Sequence, residues 1–396
     1  VEEVNKLTLE EQKEKLEKLA PDLLNKKVEK RDLFDSLNIK GKVITAFPPE
    51  PSKYLHIGHV KALMLNYELS KRNKGKFIFR FEDTNPSLIK KEFYKIYLDS
   101  LKWLNIKPDK ITYASSNMEK FYRLAEKLIK EEKVYVCKCS LEKIRDNRSK
   151  GEECEHRDLN SEENLKLWKE MFKGKKYVLR LKIDLEHKNS TMRDPTLFRI
   201  IKDKHPKLTK RYIVWPTYDF ENSVMDALEG ITYRIRTKEF ELRNELHNYI
   251  QETLGFDETK IFEVARFNLK GVPSSGRIIR EKLQKKELIG WDDPSLTTIA
   301  ALRRRGFKAE VIKEFVLNTG MSKAESELDW DDLIIQNKRV LDKEAKRYFF
   351  IQEPKKIEIK NSPKLNVDVQ YHPENKKLGS RKFTINDKFY LMDRLE

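Results

Sequence analysis

The segment 42–83 constrains the fold of this chain more than any other. KVITAF (42–47) is a short run of strand formers, and PPEPSK (48–53) stops it. HVKALMLNYELSKR (59–72) then places apolar residues at helical spacing, and KFIFRFED (76–83) alternates like a strand until TNPS (84–87) ends it. Strand, loop, helix and strand in succession make a βαβ unit, so the spacing predicts an α/β fold with a parallel sheet. Neither G-x-G-x-x-G nor G-x-x-x-x-G-K-[ST] occurs, so ordinary dinucleotide and P-loop readings lose their main support.

Around this unit the chain changes character several times. Residues 1–40 are rich in Lys, Glu and Leu, and TLEEQKEKLEKLAPDLL predicts helix. A first half of a nucleotide-binding domain is expected over 41–135, ending in EKFYRLAEKLIKEEKVYVCKCS, a helix that runs into a strand. Residues 136–210 read as an irregular, polar, loop-rich insert that splits the sheet domain. YIVWPTYDF (212–220) resumes strand character and RNELHNYIQETLGF is helical, giving a second half over 211–275. Helices dominate 276–350, and 351–396 switch to strand-like alternation.

The formal net charge of +17 implies attraction to a polyanion, and nucleic acid is the commonest one in a cytosol. Arg303–Arg305 and the lysines of 168–182 and 202–210 would most economically follow such a ligand, although most lysines serve a solvated face. No apolar run approaches the roughly 18–20 residues that span a bilayer, and no signal-like segment opens the chain. A cytoplasmic protein without a membrane partner is expected. The first residue is Val, as in a processed chain or a fragment.

The three cysteines are an odd number and argue against a disulfide scaffold. Cys137-Lys-Cys139 and Cys154-Glu-His156 instead form CxC…CxH, which uses every cysteine in the chain. Three thiolates and one imidazole suit a closed, tetrahedral, structural Zn2+ site. His56 and His59 are three residues apart, near one face of a helix, but no third ligand at suitable spacing follows them. Gly58 between them lets a ring or a phosphate approach the backbone at a helix N-terminus. The imidazoles can then donate to phosphate oxygens during phosphoryl or nucleotidyl transfer. A chance H-x-x-H at a helix start is the plain alternative.

FPPEPSKYLHIGH (47–59), FRFEDTNP (79–86), TMRDPTLFRI (191–200), WPTYDF (215–220), DALEGITYRIRTKEF (226–240) and GWDDPSLTTIAALRRRG (290–306) follow in order. Together they closely resemble the class I glutamyl- and glutaminyl-tRNA synthetases of the archaeal and eukaryotic type, from about residue 15 to the end. The resemblance implies a Rossmann-like parallel sheet split by an acceptor-end insert with the zinc site, a helical stem-contact region, and the opening of an anticodon-binding β-barrel. It implies ATP with Mg2+, glutamate or glutamine, and tRNA(Glu) or tRNA(Gln) as ligands. The reaction would be formation of an aminoacyl-adenylate and transfer to the tRNA ribose, driven by positioning and charge stabilisation rather than a protein nucleophile.

Residue by residue, the resemblance puts His56, Gly58 and His59 on the ATP phosphates, and Glu50 and Glu82 near the substrate ammonium group. Tyr218 and Asn222 fall in the amino-acid pocket. Arg236 stands where glutaminyl enzymes tend to carry a small uncharged residue and glutamyl enzymes carry arginine. A guanidinium pairs bidentately with a γ-carboxylate and would face an amide without a partner, so glutamate is the expected substrate. Two positions depart from the pattern. Ala46 replaces an arginine that helps to bind the amino acid. In VPSSGRIIREKL (272–283), Ser275 matches the signature serine while Gly276 replaces the lysine on the ATP phosphates. Either Arg277 and Arg280 compensate for that loss, or the chain is an impaired, tRNA-binding relative. HPENKKLGSRKFTINDKFYLMDRLE (372–396) resembles the opening barrel strands alone, implying a truncated chain or a second polypeptide that completes the barrel.

Overall fold

The computed structural model describes residues 4, 7–20, 32–272, 276–325, 327–358, 361, 363–385 and 388–391. Residues 1–41 form one compact unit and 42–396 another. In the first, α1 (Leu9–Leu19) starts at a capping box: Thr8 Oγ1 accepts from the Glu11 N–H while the Glu11 carboxylate accepts from the Thr8 N–H.

The second unit opens with β1 (Ile44–Phe47), α2 (Ile57–Arg72), β2 (Lys76–Phe81), α3 (Lys91–Trp103) and β3 (Lys110–Tyr113). These three strands are parallel, as the βαβ spacing predicts. The alternation of KFIFRF reflects two buried faces rather than one. Phe77, Phe79 and Phe81 pack with α2 and α3 residues such as Leu63 and Tyr97, while Ile78 meets Ile44, Ala46 and Ile231 on the other face. Helix α2 is likewise buried around most of its circumference, down to Lys61, Asn66 and Ser70.

After α4 (Met118–Lys130) the chain leaves the parallel sheet. Here the structure corrects the expectation of an irregular insert. β4 (Val134–Cys137), α5 (Leu141–Lys150), α6 (Ser161–Met171), β5 (Val178–Leu181), β6 (Thr196–Ile200) and β7 (Val214–Pro216) form an antiparallel four-stranded sheet with its own helices. Trp168, Met171, Phe198 and Trp215 fill a core beneath it. Strands this short show too few inward residues to reveal a period, so polarity dominates their sequence pattern. WPTYDF also departs from the expected return to the first sheet: β7 pairs with β6 and closes the inserted sheet.

The return to the first sheet comes with α7 (Tyr218–Glu229) and β8 (Tyr233–Thr237), followed by α8 (Leu242–Leu254) and β9 (Lys260–Val264). β8 pairs with β1 and β9 with β8, all parallel, so the order is β3-β2-β1-β8-β9. The connections run outward in both directions from β1 and β8, which makes that pair the switch point of the sheet. Crevices beyond the carboxyl ends of strands at such a point are where open α/β sheets bind ligands.

A short parallel pair, β10 (Asn268–Leu269) with β11 (Glu327–Leu328), brackets α9 (Gly276–Gln284), α10 (Ile299–Arg304) and α11 (Ala309–Asn318). α12 (Trp330–Glu344) follows, and Phe307, Ile312, Phe315 and Leu333 join these helices to the core of β1 and β2. Beyond it lie two antiparallel ladders, β12 (Lys355–Glu358) with β15 (Lys388–Leu391) and β13 (Leu365–Gln370) with β14 (Ser380–Ile385). Among the described residues, no helix is long and apolar enough to cross a membrane.

Candidate active site

A cleft of about 520 Å³ opens at the carboxyl ends of β1 and β8. Its size suits a nucleotide-scale ligand. Its walls bring together Glu50, His56, Gly58, His59, Glu82, Tyr218 and Arg236, residues spread over much of the sequence.

His56 and His59 do cap a helix, and the cap sets their chemistry. The Gly58 N–H donates to His56 Nδ1 at 3.1 Å, and the His56 N–H donates to His59 Nδ1 at 3.2 Å. Each Nδ1 is therefore an acceptor, which leaves the proton of each neutral ring on Nε2. The rings stack with centroids 3.6 Å apart. Burial, reinforced by Lys53 and Arg266, pushes His56 down to about 3, and His59 lies well below the ordinary histidine value for the same first reason. The pair offers two neutral Nε2–H donors, not two cations. Gly58 serves this packing directly: a Cβ there would lie 3.0 Å from the His56 ring and from the Phe267 carbonyl oxygen.

At the other end, Glu82 follows β2 and accepts a hydrogen bond from Asn222 Nδ2. Asn222 does not line the cleft; it holds Glu82 from behind. Burial raises the Glu82 carboxyl to about 7 despite Arg80 and Arg234 nearby. Both arginines reach Glu82, at 3.6 and 3.9 Å, but their shorter contacts are with other carboxylates. Arg80 donates to Asp226 and to Glu229, each at 2.8 Å, and Arg234 meets Asp226 at 2.5 Å. Burial disfavours the Asp226 carboxylate, but Arg234 and Arg80 hold it at about 2.

Arg236 differs from both. It is buried on β8 beside Tyr218, and its Nε donates to Asn244 Oδ1 at 2.8 Å. Among the described residues it has no carboxylate partner, although burial lowers its pKa and so marks the charge as costly. A buried cation facing an open cleft without a counter-ion carries a desolvation cost that an anion would offset. Tyr218 and Phe240 flank it, with Tyr218–Phe240 centroids 5.6 Å apart and the guanidinium 5.9 Å from the Phe240 ring.

The second signature loop is brought to the cleft only in part. Ser275 lies outside the described residues. Arg277 is exposed and paired with Glu281 at 3.3 Å, one turn along the outer face of α9, so it does not reach the cleft. Arg280 donates to the Ser52 carbonyl at 3.2 Å. Ala46 is fully buried against Ile44, Ile78 and Ile231. The register Thr45↔Tyr233 sets Arg234, a cleft residue, beside it on the same sheet face.

The cysteines converge well away in sequence, at the end of β4 and the two turns after it. The donor atoms of Cys137, Cys139, Cys154 and His156 all lie within 4.8 Å of one another. Cys137 Sγ is 3.8 Å from Cys154 Sγ, and Cys139 Sγ is 3.6 Å from His156 Nδ1. Sulfur ligands about 2.3 Å and nitrogen about 2.0–2.1 Å from a tetrahedral zinc ion would be separated by about 3.8 and 3.6 Å. The donors fit zinc. The hydrogen bond between the two sulfurs pushes the Cys137 thiol up and the Cys154 thiol down, and thiolates are the form in which a metal ion would take them.

Comparison with known proteins decides the family. Residues 42–343 match the tRNA synthetases class I (E and Q) catalytic domain, and residues 345–394 match the anticodon-binding domain of the same family. The chain belongs to the class I glutamyl- and glutaminyl-tRNA synthetases. Among its relatives in this family, the glutamate–tRNA ligase of Pyrococcus abyssi is 38% identical over 405 residues, covering 99% of this chain and 71% of that enzyme. That of Nitrosopumilus maritimus is 39% identical, covering 98% and 69%. A crystal structure of a glutamate tRNA ligase from Elizabethkingia meningosepticum in complex with its amino acid shares the fold, with a TM-score of 0.57 at 20% identity over 76% of this chain and 70% of that one.

Within this synthetase frame, sequence reasoning passed over four basic cleft residues: Lys53, Arg199, Arg234 and Arg266. Lys53, Arg199 and Arg234 all lie inside the family motifs, the two arginines as strand residues whose facing a single sequence does not give. Lys53 lies in the linker before His56, where a lysine reads as solvated surface.

Proposed function

We propose that this chain attaches glutamate to tRNA(Glu) in the cytoplasm, in an ATP- and Mg2+-dependent reaction through a glutamyl-adenylate. The observation that carries the choice of amino acid is the buried, carboxylate-free guanidinium of Arg236 in the cleft. Glutamine would leave that charge unpaired, at a penalty that favours glutamate. No observation favours glutamine charging.

In this reading the glutamate α-carboxylate oxygen bonds to the α-phosphorus of ATP, the bond to the β-phosphate oxygen breaks, and pyrophosphate leaves with the electron pair. A ribose hydroxyl of tRNA then attacks the acyl carbon and releases AMP. His56 and His59 donate their Nε2–H groups to phosphate oxygens as charge builds there. Glu50 and Glu82 accept the substrate ammonium group, with Asn222 positioning Glu82. Tyr218 walls the side chain and Arg236 pairs with its γ-carboxylate. Cys137, Cys139, Cys154 and His156 hold a structural Zn2+ that pins the turns after β4. The acceptor-end insert, from β4 to β7, the stem-contact helices of 276–350 and the barrel strands of 351–396 belong to the same reading. Among the described residues the two ladders pair with no further strand, which supports pairing with strands from a second polypeptide or from more of the same one.

The test is ATP–pyrophosphate exchange with tRNA present. Exchange dependent on glutamate supports the reading, and exchange dependent on glutamine alone would contradict it.

A further inference from the structure

Gly276 opens α9 at the position where the family resemblance implies a phosphate-binding lysine, and the space above it is already taken. A Cβ on Gly276 would lie 2.8 Å from Cδ and 3.5 Å from Cβ of Lys53. The aliphatic stem of Lys53 therefore passes over the bare backbone of Gly276, at a distance that no larger residue permits without moving it. Two elements far apart in sequence are fitted to each other here: a glycine where a cation is lost, and a lysine laid across it.

The stem leads into the cleft. Lys53 lines it together with His56, Gly58, His59 and Arg266. Among the described residues, its ammonium group makes no hydrogen bond and no ion pair, and its charged surroundings are mixed, with Glu50 and Glu239 against Arg266 and Arg280. Burial is the largest influence on it and lowers its pKa, so a phosphate would restore the charged form that burial disfavours. The loop that carries it is anchored by Arg280, which donates to the carbonyl of the preceding Ser52 at 3.2 Å. Arg277, the neighbouring alternative, is turned outward onto Glu281.

We propose that Lys53 binds the β- and γ-phosphates of ATP in place of the lysine whose position Gly276 occupies. The signature cation has moved from one wall of the cleft to the other. It stabilises the negative charge that passes to pyrophosphate as the bond from the α-phosphorus to the bridging oxygen breaks, next to the Nε2–H donors of His56 and His59. The inference rests on the proposed ATP-dependent reaction, and its test is separable from it because nucleotide binding is read without turnover.

The experiment is equilibrium titration of the full chain with Mg-ATP and, separately, with AMP, which lacks the β- and γ-phosphates. The variants are Lys53→Ala, Lys53→Gln, Gly276→Lys and the double Lys53→Ala/Gly276→Lys, each checked by thermal unfolding. Loss of one charge-assisted phosphate contact is expected to weaken ATP about 10- to 100-fold in Lys53→Ala and Lys53→Gln while AMP affinity stays within about two-fold. Gly276→Lys alone should also weaken ATP, because its side chain collides with the Lys53 stem. The double variant should recover ATP affinity to within about five-fold of the parent, since it returns the cation to α9 with the space cleared. ATP affinity unchanged in both Lys53 variants would overturn the proposal, as would an equal loss for ATP and AMP. A double variant no better than Lys53→Ala would overturn the exchange of positions. Absence of glutamate-dependent pyrophosphate exchange in the parent would instead defeat the functional reading, and the ATP-against-AMP comparison decides Lys53 either way.

Discussion

Asn244 Oδ1 accepts from Arg236 Nε at 2.8 Å, and the same amide donates through Nδ2 to Glu263. Glu263 thus fixes the amide, and the amide fixes the guanidinium, without placing a carboxylate on Arg236 itself. The arrangement orients the cation yet leaves its charge for a ligand. Arg236→Gln should lower kcat/KM for glutamate by about two orders of magnitude or more, the scale for breaking a desolvated charge pair. Glutamine should gain relative to glutamate. Asn244→Ala should act in the same direction but less, through KM, because the guanidinium remains while its orientation is lost. Steady-state kinetics with both amino acids separates the two.

Glu82 gives the cleft a pH dependence. Burial raises its carboxyl to about 7, so in the free protein it is mostly protonated below that pH and ionised above it. Only the carboxylate pairs with an ammonium group. KM for glutamate should therefore fall as pH rises from about 6 to 8, and Glu82→Gln should flatten that profile at a uniformly higher KM. The stability linkage has the opposite sense. The folded state holds the Glu82 proton between 4.5 and about 7 while the unfolded chain has released it, so this group's contribution to stability declines as pH rises through that window.

The buried histidines make the protein acid-sensitive. Burial takes His56 and His247 from 6.5 to about 3, and His59 well below 6.5. Below 6.5 the unfolded chain gains protons that these folded rings refuse, so stability is full above 6.5 and is lost as pH falls toward 3. Each ring contributes a slope of about 1.4 kcal/mol per pH unit within the window. Urea unfolding at pH 7.5 and 5.5 should show a lower midpoint at 5.5, and His247→Gln should reduce the difference.

The cysteine cluster predicts one zinc ion per chain by elemental analysis, falling below about a tenth in Cys154→Ser or His156→Ala. Proteolysis of those variants should begin between residues 138 and 160, where the turns depend on the metal. ATP titration should change little, because Cys137 and Cys154 sit in a small cluster of their own with Tyr135 and Ile144, apart from the core of β1, β2 and α2 on which the His56–His59 end of the cleft rests.

These features were unequally legible in the sequence. The βαβ unit and the cysteine cluster could be read because their determinants are close in the chain: a period within twenty residues or a ligand spacing. The inserted sheet was not, since β5 and β7 are too short to show a period and depend on partners elsewhere. Within the cleft, His56 and His59 announced themselves by spacing, but their neutral, Nε2-protonated state comes from backbone groups and burial that only the fold supplies. Arg236 was reached through family resemblance, and nothing in YRIRT distinguishes it from Arg234. Asp226 distinguishes them, by neutralising one and not the other. Lys53 was illegible because its meaning lies in its contact with Gly276.

The central claim is that the cleft selects glutamate for transfer to tRNA. It is tested most directly by incubating the protein with total tRNA, ATP and Mg2+ and either labelled glutamate or labelled glutamine, then identifying the charged tRNA. The account predicts that glutamate becomes acid-precipitable on tRNA(Glu), that glutamine does not, and that Arg236→Gln removes most of the signal. Glutamine charging at a comparable rate, or tRNA binding without charging by either amino acid, would contradict it.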